Sequence, residues 1–284
     1  MPYRFLRFPK GRAKAVTLSY DDGSCYDEKL LDIINRYGLK CTFNLNSARI
    51  GAKDALTATQ VYQLLDQGHE VAVHGANHLA SGVVRPVEGI RDILKCREYL
   101  EQTFSRIIRG MAYADTGIRH FIDGNCYENV RQYLTDLGIV YSRTIGGDND
   151  CFDLPSDWFA WMPTAHHANP KLPEYMESFL NLDISSLYCA DQHPRLFYLW
   201  GHSHEFHFSD NWHLLERIGQ TLGCRDDIWY ATNIEIYDYV TAYHSLVWSA
   251  DSQRVYNPTL IPVWFTVGSE MYCVHSGETA EIRS

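Results

Sequence analysis

The chain has 284 residues, 45% hydrophobic and 13% aromatic, enough to bury one sizeable α/β core with an appendage. Thirty-five acidic against twenty-five basic residues give a formal net charge of −10 with no Lys/Arg run, which excludes the basic face that nucleic acid needs. No apolar run approaches the roughly 20 residues of a membrane span, so no membrane partner is expected.

"MPYRFLRFPKGRAK" has no apolar stretch and no small-residue cleavage site, so it is not read as a secretory signal. Eight scattered cysteines without a C-x-x-C pair fit reduced thiols rather than a disulfide framework. The expectation is a cytoplasmic, enzyme-sized protein.

In chain order, strand-like runs alternate with helical ones. "KAVTLSY" is β-branched and aromatic, and "DEKLLDIINRYG" after it puts Leu30, Leu31, Ile34 and Tyr37 on one helical face before Gly38 stops it. "KCTFNLN" is the next strand. "TATQVYQLLDQG" opens on a capping-box pattern, Thr57 and Gln60, and closes on Gly68. "HEVAVHG" is a strand, "VEGIRDILKCREYLEQTF" a long helix, "RIIRGMAY" a strand and "YENVRQYLTDLG" an amphipathic helix.

"IVYSRT" and "WFAWMPT" read as strands, and "LPEYMESFLNL" as a helix. "RLFYLWGH" leads to the helix "NWHLLERIGQTLG", and "DIWYAT" to the helical "IEIYDYVTAYHSL". This βα alternation implies parallel strands with right-handed crossovers. About seven strands and no G-x-G-x-x-G after the first favour an α/β fold of the distorted (β/α) barrel kind over a dinucleotide-binding sheet. The barrel is expected over residues 1–245. From Trp248 the helical period is lost, and residues 246–284 read as a short β-rich C-terminal appendage packed on the barrel.

Barrel chemistry gathers at the C-terminal ends of the strands. The unusual residues fall there: Asp21-Asp22-Gly23, His74 with His78, Tyr113 with Asp115, Arg143, Thr164 before His166-His167, and His202 before His204-Glu205. Each cluster alone has an ordinary explanation. Asp21-Asp22 would serve as a turn and helix cap, the histidines as loop residues, and Trp158, Trp161 and Trp200 as packing. What the ordinary explanations do not account for is that carboxylates and imidazoles share one rim.

One carboxylate with two neutral imidazoles is a common ligand set for a divalent ion with an open position. His74 and His78 face the same way if their loop turns helically. An adjacent Asp pair supplies one ligand and one base, and a neighbouring His can protonate a leaving group. That is a hydrolase.

The residues resemble the polysaccharide deacetylase family, also called the NodB-homology family or carbohydrate esterase family 4. "TLSYDDG" resembles its motif T-F-D-D-G, "HGANH" its motif H-[ST]-x-x-H, and "LWGH" its last motif, across about residues 12 to 240. The resemblance implies a distorted (β/α) barrel, Asp21 as catalytic base, Asp22, His74 and His78 as metal ligands, and His202 as general acid. It also implies one divalent metal ion, zinc first, with cobalt, nickel, manganese or iron as alternatives.

The third motif, R-x-P-[YF]-G, departs: "RGMAYADTG" is closer to a branch reading A-Y-P-Y-G, with Ala112 where the arginine stands. Arg143 is the candidate substitute for orienting the base, and Arg109 the second. A backbone N–H near Tyr113 is the candidate oxyanion donor. "WMPTAHH" sits where the fourth motif belongs, giving Trp161, His166 and His167 as substrate-binding candidates. The implied reaction is removal of an acyl group, first of all acetyl, from an N-acetylated sugar or oligosaccharide. Hydrolysis of another C–N bond or of an O-acetyl ester, and a weakly catalytic carbohydrate-binding protein, stay open, as does the oligomeric state.

Overall fold

The computed structural model describes residues 3–122, 124–145, 149–184 and 189–282. In chain order the elements begin β1 (Arg4–Arg7), β2 (Lys14–Asp21), α1 (Asp27–Arg36), β3 (Cys41–Leu45), α2 (Ala58–Asp66) and β4 (Glu70–Val73). There follow α3 (Pro86–Phe104), β5 (Gly110–Ala112), α4 (Tyr127–Asp136), β6 (Tyr141–Arg143), β7 (Ala165–His166), α5 (Leu172–Leu180) and β8 (Arg195–Gly201). Then come α6 (Ser203–Phe208), α7 (Trp212–Leu222), β9 (Ile228–Tyr230) and α8 (Asn233–His244). The chain finishes with β10 (Val247–Trp248), β11 (Arg254–Tyr256), β12 (Val263–Val267), β13 (Glu270–Val274) and β14 (Thr279–Glu281).

Strand β2 is buried along its whole length, and its β-branched and aromatic run pairs in parallel with β3 on one side and β8 on the other. The order β6-β5-β4-β3-β2-β8-β7 is a curled, all-parallel sheet of seven strands, with β9 laid against the start of β2. Helices α1 and α2 close it from outside, burying Leu30, Leu31 and Ile34 of the expected face together with Ile33 on the first and Val61 and Leu64 on the second, while Tyr37 caps α1. The Thr57–Gln60 capping box is present.

The curl is continued by the chain between β6 and β7. Trp161 N–H donates to Ser142 O (3.1 Å) and Thr144 N–H to Trp161 O (2.9 Å), while Thr164 N–H donates to Tyr198 O (2.8 Å). One short segment therefore touches β6 with one end and β8 with the other. The molecule is the distorted (β/α) barrel that the alternation implied.

Two local expectations are corrected. "WFAWMPT" is not a strand: Trp158–Ala160 form a 3-10 turn capped by the Asp157 carboxylate, and Pro163 has no N–H to give a ladder. Only Ala165–His166 pair with β8. After His202, where the periodicity gives no helix, Ser203–Phe208 turn as α6.

The C-terminal strands form two three-stranded sheets, β1-β12-β13 and β10-β11-β14. Strand β1, which the sequence reading does not find, pairs antiparallel with β12, so the chain's first strand lies in a sheet with its last third. Val255, Val263, Phe265 and Val274 form a cluster with Ala242 and Leu246 at the end of α8. Among the described residues no helix is long and apolar enough to cross a membrane, and Cys25, Cys41, Cys96, Cys126, Cys151, Cys224 and Cys273 are free thiols.

Candidate active site

Strand β2 ends by turning sharply. Asp21 is still extended and buried, but Asp22 and Gly23 are both left-handed, at φ of 75° and 63°. A left-handed non-glycine residue costs on the order of 1 kcal/mol or more, and aspartate tolerates it better than most. The turn points the two adjacent carboxylates apart: Asp21 inward among the strands, Asp22 toward the chain after β4.

That chain carries His74 and His78. The helical turn assumed for the pair is absent; two left-handed residues, Gly75 (φ 79°) and His78 (φ 59°), bring the second imidazole back beside the first. Asp92, buried on α3, holds the loop: its Oδ1 accepts from the backbone and side-chain amides of Asn77, each at 2.8 Å, and its carbonyl from Ala76 N–H. A Cβ on Gly75 would stand 2.3 Å from Asp92 Oδ2, so only glycine fits there.

The result is a three-residue group, Asp22, His74 and His78, whose ligating atoms lie within 4.8 Å of one another. Asp22 Oδ1 is 3.7 Å from His74 Nε2 and 3.6 Å from His78 Nε2, too far to hydrogen-bond. Those spacings are near the roughly 3.4 Å expected between two ligands on one tetrahedral zinc ion. His74 Nδ1 is tied to Ala112 O at 2.9 Å, which puts the proton there and leaves the Nε2 lone pair facing the gap. The donor set and its outer support fit a divalent ion.

Beside the group, both oxygens of Asp21 are engaged. Oδ2 pairs with the fully buried Arg143 guanidinium from the end of β6, and Oδ1 accepts from Asn44 Nδ2 on β3 at 2.8 Å. Burial pushes the Asp21 carboxyl up, but Arg143, then His74 and His202, outweigh it and hold it below the usual range. Arg143 lies under the Trp200 ring, 4.4 Å from its centroid. Asp27, fully buried on α1, is pushed up to about 8 by burial, with Asp22 and Asp21 adding to it, so it brings no further negative charge at neutral pH.

On the opposite wall one carboxylate gathers three imidazoles. Glu205 Oε1 is 3.3 Å from His202 Nδ1, one helical turn away on α6, and Oε2 is 3.0 Å from His166 Nε2 and 3.1 Å from His167 Nε2. The two shortest are direct contacts, although Oε2 makes no well-aligned hydrogen bond, and His166, His202 and Glu205 form a second group whose ligating atoms lie within 4.8 Å of one another. Burial raises the Glu205 carboxyl, but the imidazoles of His166, His167 and His202 outweigh that and hold it far below its ordinary range. His202 is lowered by burial, yet Glu205 and then Asp21 raise it net. Gly201 makes room for the cluster: a Cβ there would sit 2.0 Å from His167 Nδ1.

Several sequence candidates lie elsewhere. Trp161 is 1% exposed, ringed by Tyr141, Trp158 and Tyr198 beneath the sheet, and cannot touch a substrate. Apolar packing claims it. His167 is buried too, stacked on Phe206 at 4.0 Å, so of the His166-His167 pair only His166 is partly open, against the edge of Trp200. Arg109 starts β5 at the far end of the barrel and pairs with Asp238. The Tyr113 N–H is taken by Arg143 O (3.0 Å), and its hydroxyl donates to Phe159 O (2.9 Å); the next N–H, of Ala114, has no partner among the described residues.

Sequence reasoning passes over Asn44 and Asp92, and it notes Glu205 and Trp200 at the strand end without giving either a part in the site. Asn44 is legible as the one polar side chain at the heart of "TFNL", and Glu205 as the carboxylate three residues after His202. Asp92 carries no local signal, because its partners are fifteen residues away.

The model of the polysaccharide deacetylase family matches residues 9–141, which carry Asp21, Asp22, His74 and His78 but not His202. The chain is 29% identical over 91 residues to a peptidoglycan-N-acetylglucosamine deacetylase of Bacillus cereus, a match spanning 31% of this chain and 41% of that protein's length. Among solved structures, Puue allantoinase superposes with a TM-score of 0.59 at 12% identity, over 84% of this chain and 93% of that one. The peptidoglycan deacetylase PdaC of Bacillus subtilis gives 0.51 at 10% identity, over 82% and 94%. At such identities the two structures speak to the fold alone. The first two motifs of the sequence resemblance lie inside the segment that matches the polysaccharide deacetylase family model.

Proposed function

We propose that the chain is a metal-dependent hydrolase that removes an acyl group, N-acetyl first, from a carbohydrate. The observation that carries this is the flanking of the Asp22–His74–His78 group by an arginine-held carboxylate on one side and a carboxylate-held imidazole on the other. A divalent ion held by Asp22, His74 and His78, zinc first by the donor set, supplies positive charge that acidifies water and steadies a developing oxyanion.

The chain's own residues do the rest. Asp21, kept ionised by Arg143 and aimed by Asn44, accepts the proton of the attacking water. His202 keeps its Nδ1 toward Glu205 and holds a proton on Nε2, which it gives to the departing nitrogen. Arg143 is a positioning residue, not a contact of the substrate. The Ala114 N–H, beside Tyr113, is the free backbone donor for the oxyanion. His166, partly open beside Trp200, is the remaining substrate-side candidate of that pair, and His167 supports Glu205 from within.

Metal content and acetate release on the same purified samples test the reading. Wild type should hold one equivalent of metal and release acetate from an N-acetylated sugar. His74→Ala should lose both. Asp21→Asn should keep the metal and lose roughly 10³-fold in kcat, within the usual range for a general base. An Asp21→Asn variant that still turned over would take Asp21 out of the base role. Metal with release only from an O-acetyl ester or another amide would change the substrate, and metal with sugar binding but no release would favour the binding-protein reading.

A further inference from the structure

At the end of the barrel away from the catalytic rim, a cavity of about 700 Å³ opens where the appendage meets the barrel. Its walls are β1, residues 153–158, the chain entering β8 and the last turns of α8. Leu6, Leu154, Trp158 and Val240 make most of it apolar. The volume falls in the range of small-molecule sites, about 300–1,000 Å³. The cavity shares no residue with the Asp22–His74–His78 group, with Asp21 or with the cluster around Glu205.

Its unmatched charge is positive. Arg4 lies in the wall with its guanidinium over Trp248, 3.5 Å from the ring centroid, and no carboxylate pairs with it among the described residues. The acid of the wall, Asp153, is engaged by Arg195. Arg7, on the same strand, is 6% exposed and donates from Nη1 to carbonyl oxygens, Leu6 O at 2.9 Å and Gln192 O at 2.8 Å. It too has no carboxylate partner among the described residues. Buried arginines are almost always paired, and a chain of net charge −10 has acids to spare. Tyr243 ties the two cations together. Burial raises its phenol while Arg4 and Arg7 lower it, so both stand near its hydroxyl in the cavity wall.

We infer that this cavity is a binding site for a small organic carboxylate with an apolar body. The carboxylate meets the Arg4 fork and the Tyr243 hydroxyl, with Arg7 adding charge from behind. The body covers Leu6, Leu154, Trp158 and Val240. Both halves of the ligand are required. A bare inorganic anion would leave the apolar wall wet, and an uncharged apolar molecule would leave the arginines without a counter-charge. The other titratable groups of the wall, His193 and His244, can add only positive charge.

The test is calorimetric titration of the full chain with 2-naphthoate and octanoate, and with the neutral alcohol of each, 2-naphthalenemethanol and octanol. One equivalent of at least one carboxylate should bind with Kd on the order of 10–100 μM, naphthoate marking a ring-shaped ligand and octanoate a chain-shaped one. Its alcohol should bind about tenfold or more weakly. Arg4→Gln should weaken the carboxylate about tenfold and leave the alcohol unchanged. Arg36→Gln, on the outer face of α1, should change neither. If loss of the Trp248 stacking unfolds Arg4→Gln, the comparison of carboxylate with alcohol on wild type decides alone. No binding of either carboxylate at about 5 mM, equal binding of carboxylate and alcohol, or an affinity that Arg4→Gln leaves unchanged would overturn the site. So would an equal loss in Arg36→Gln, which would mean charge attraction without a site.

Discussion

Both ends of the barrel bury a carboxylate on a parallel strand, and they treat it in opposite ways. At the C-terminal rim Asp21 has a cation against one oxygen and an amide against the other, and its carboxyl stays below the usual range despite full burial. At the N-terminal end Glu70 opens β4 and has only neutral donors: the Tyr141 hydroxyl at 2.7 Å, the Thr42 hydroxyl at 2.8 Å and Ile234 N–H at 2.8 Å. Burial pushes Glu70 up to about 7. A cation is at hand there, but Arg109 directs both its terminal nitrogens to Asp238. The contrast teaches that a buried acid is not by itself a sign of chemistry. Whether it is a base or a latch depends on what faces it.

Removing the cation should turn the first kind of carboxylate into the second, and no other change to this contrast should have a larger effect. Arg143→Ala should lower kcat about 10²-fold or more, since the base is both misplaced and no longer held ionised. It should also cost on the order of 3–5 kcal/mol of stability, because an unpaired buried charge is left behind. In wild type the pair's contribution is present above the unfolded Asp value and is lost only as pH falls below it, through the lowered folded one. In the variant burial, no longer opposed by Arg143, raises Asp21, so that it is protonated by about pH 4 and its penalty is relieved there. The variant's deficit should therefore be largest at about pH 7 and shrink toward about pH 4, as read by urea unfolding at both. Arg143→Lys, keeping a charge and a donor, should recover part of the turnover. Wild-type turnover in Arg143→Ala would leave the arginine a purely structural role.

A smaller effect is expected on the imidazole side. His202 acts as a protonated acid, so activity is lost as pH rises through its raised pKa. Glu205→Gln removes the carboxylate that does most of the raising against the burial penalty. The alkaline limb of the kcat/KM profile should move to lower pH by about one unit, with a loss of several-fold at about pH 7. The acid limb, which belongs to Asp21, should move little by comparison. A profile scaled down without a shift would mean that Glu205 only packs α6.

How far the sequence shows this contrast depends on the range of the interactions involved. The strand and helix periods are local, and so are "YDDG" and "HGANH", which is why the barrel and the Asp22–His74–His78 group are legible without a structure. Arg143 is legible too, because a lone arginine at a strand end stands out. Trp161 fails as a substrate contact because burial is set by distant partners: Tyr141, Tyr198 and Trp158 converge on it from three parts of the chain. The membership of β1 in the appendage's sheet fails for the same reason, its partner β12 lying about 260 residues on. Glu70 is the plainest case. In "HEVAVHG" it reads as an ordinary exposed acid, and only the fold brings Tyr141, Thr42 and Ile234 around it.

Glu70 therefore offers the gentlest way to test the other half of the comparison. Its folded carboxyl is raised from 4.5 to about 7, so the stability it contributes is fully present below the lower value and is lost as pH rises between the two. The loss is on the order of 3 kcal/mol by about pH 8, spread over that window. Glu70→Gln has no proton to lose. At about pH 4 it should be less stable than wild type by about 1 kcal/mol, because its amide N–H₂ must face one of three donors and only a hydroxyl can turn to accept. At about pH 8 that deficit should close or reverse. The measurement is the wild-type-minus-variant difference in unfolding free energy at the two pH values, which cancels the titration of every other carboxyl. A difference that stays constant with pH would mean that Glu70 titrates alike in the folded and unfolded chains, and that neutral hydrogen bonds alone can hold a buried charge at this end of the barrel.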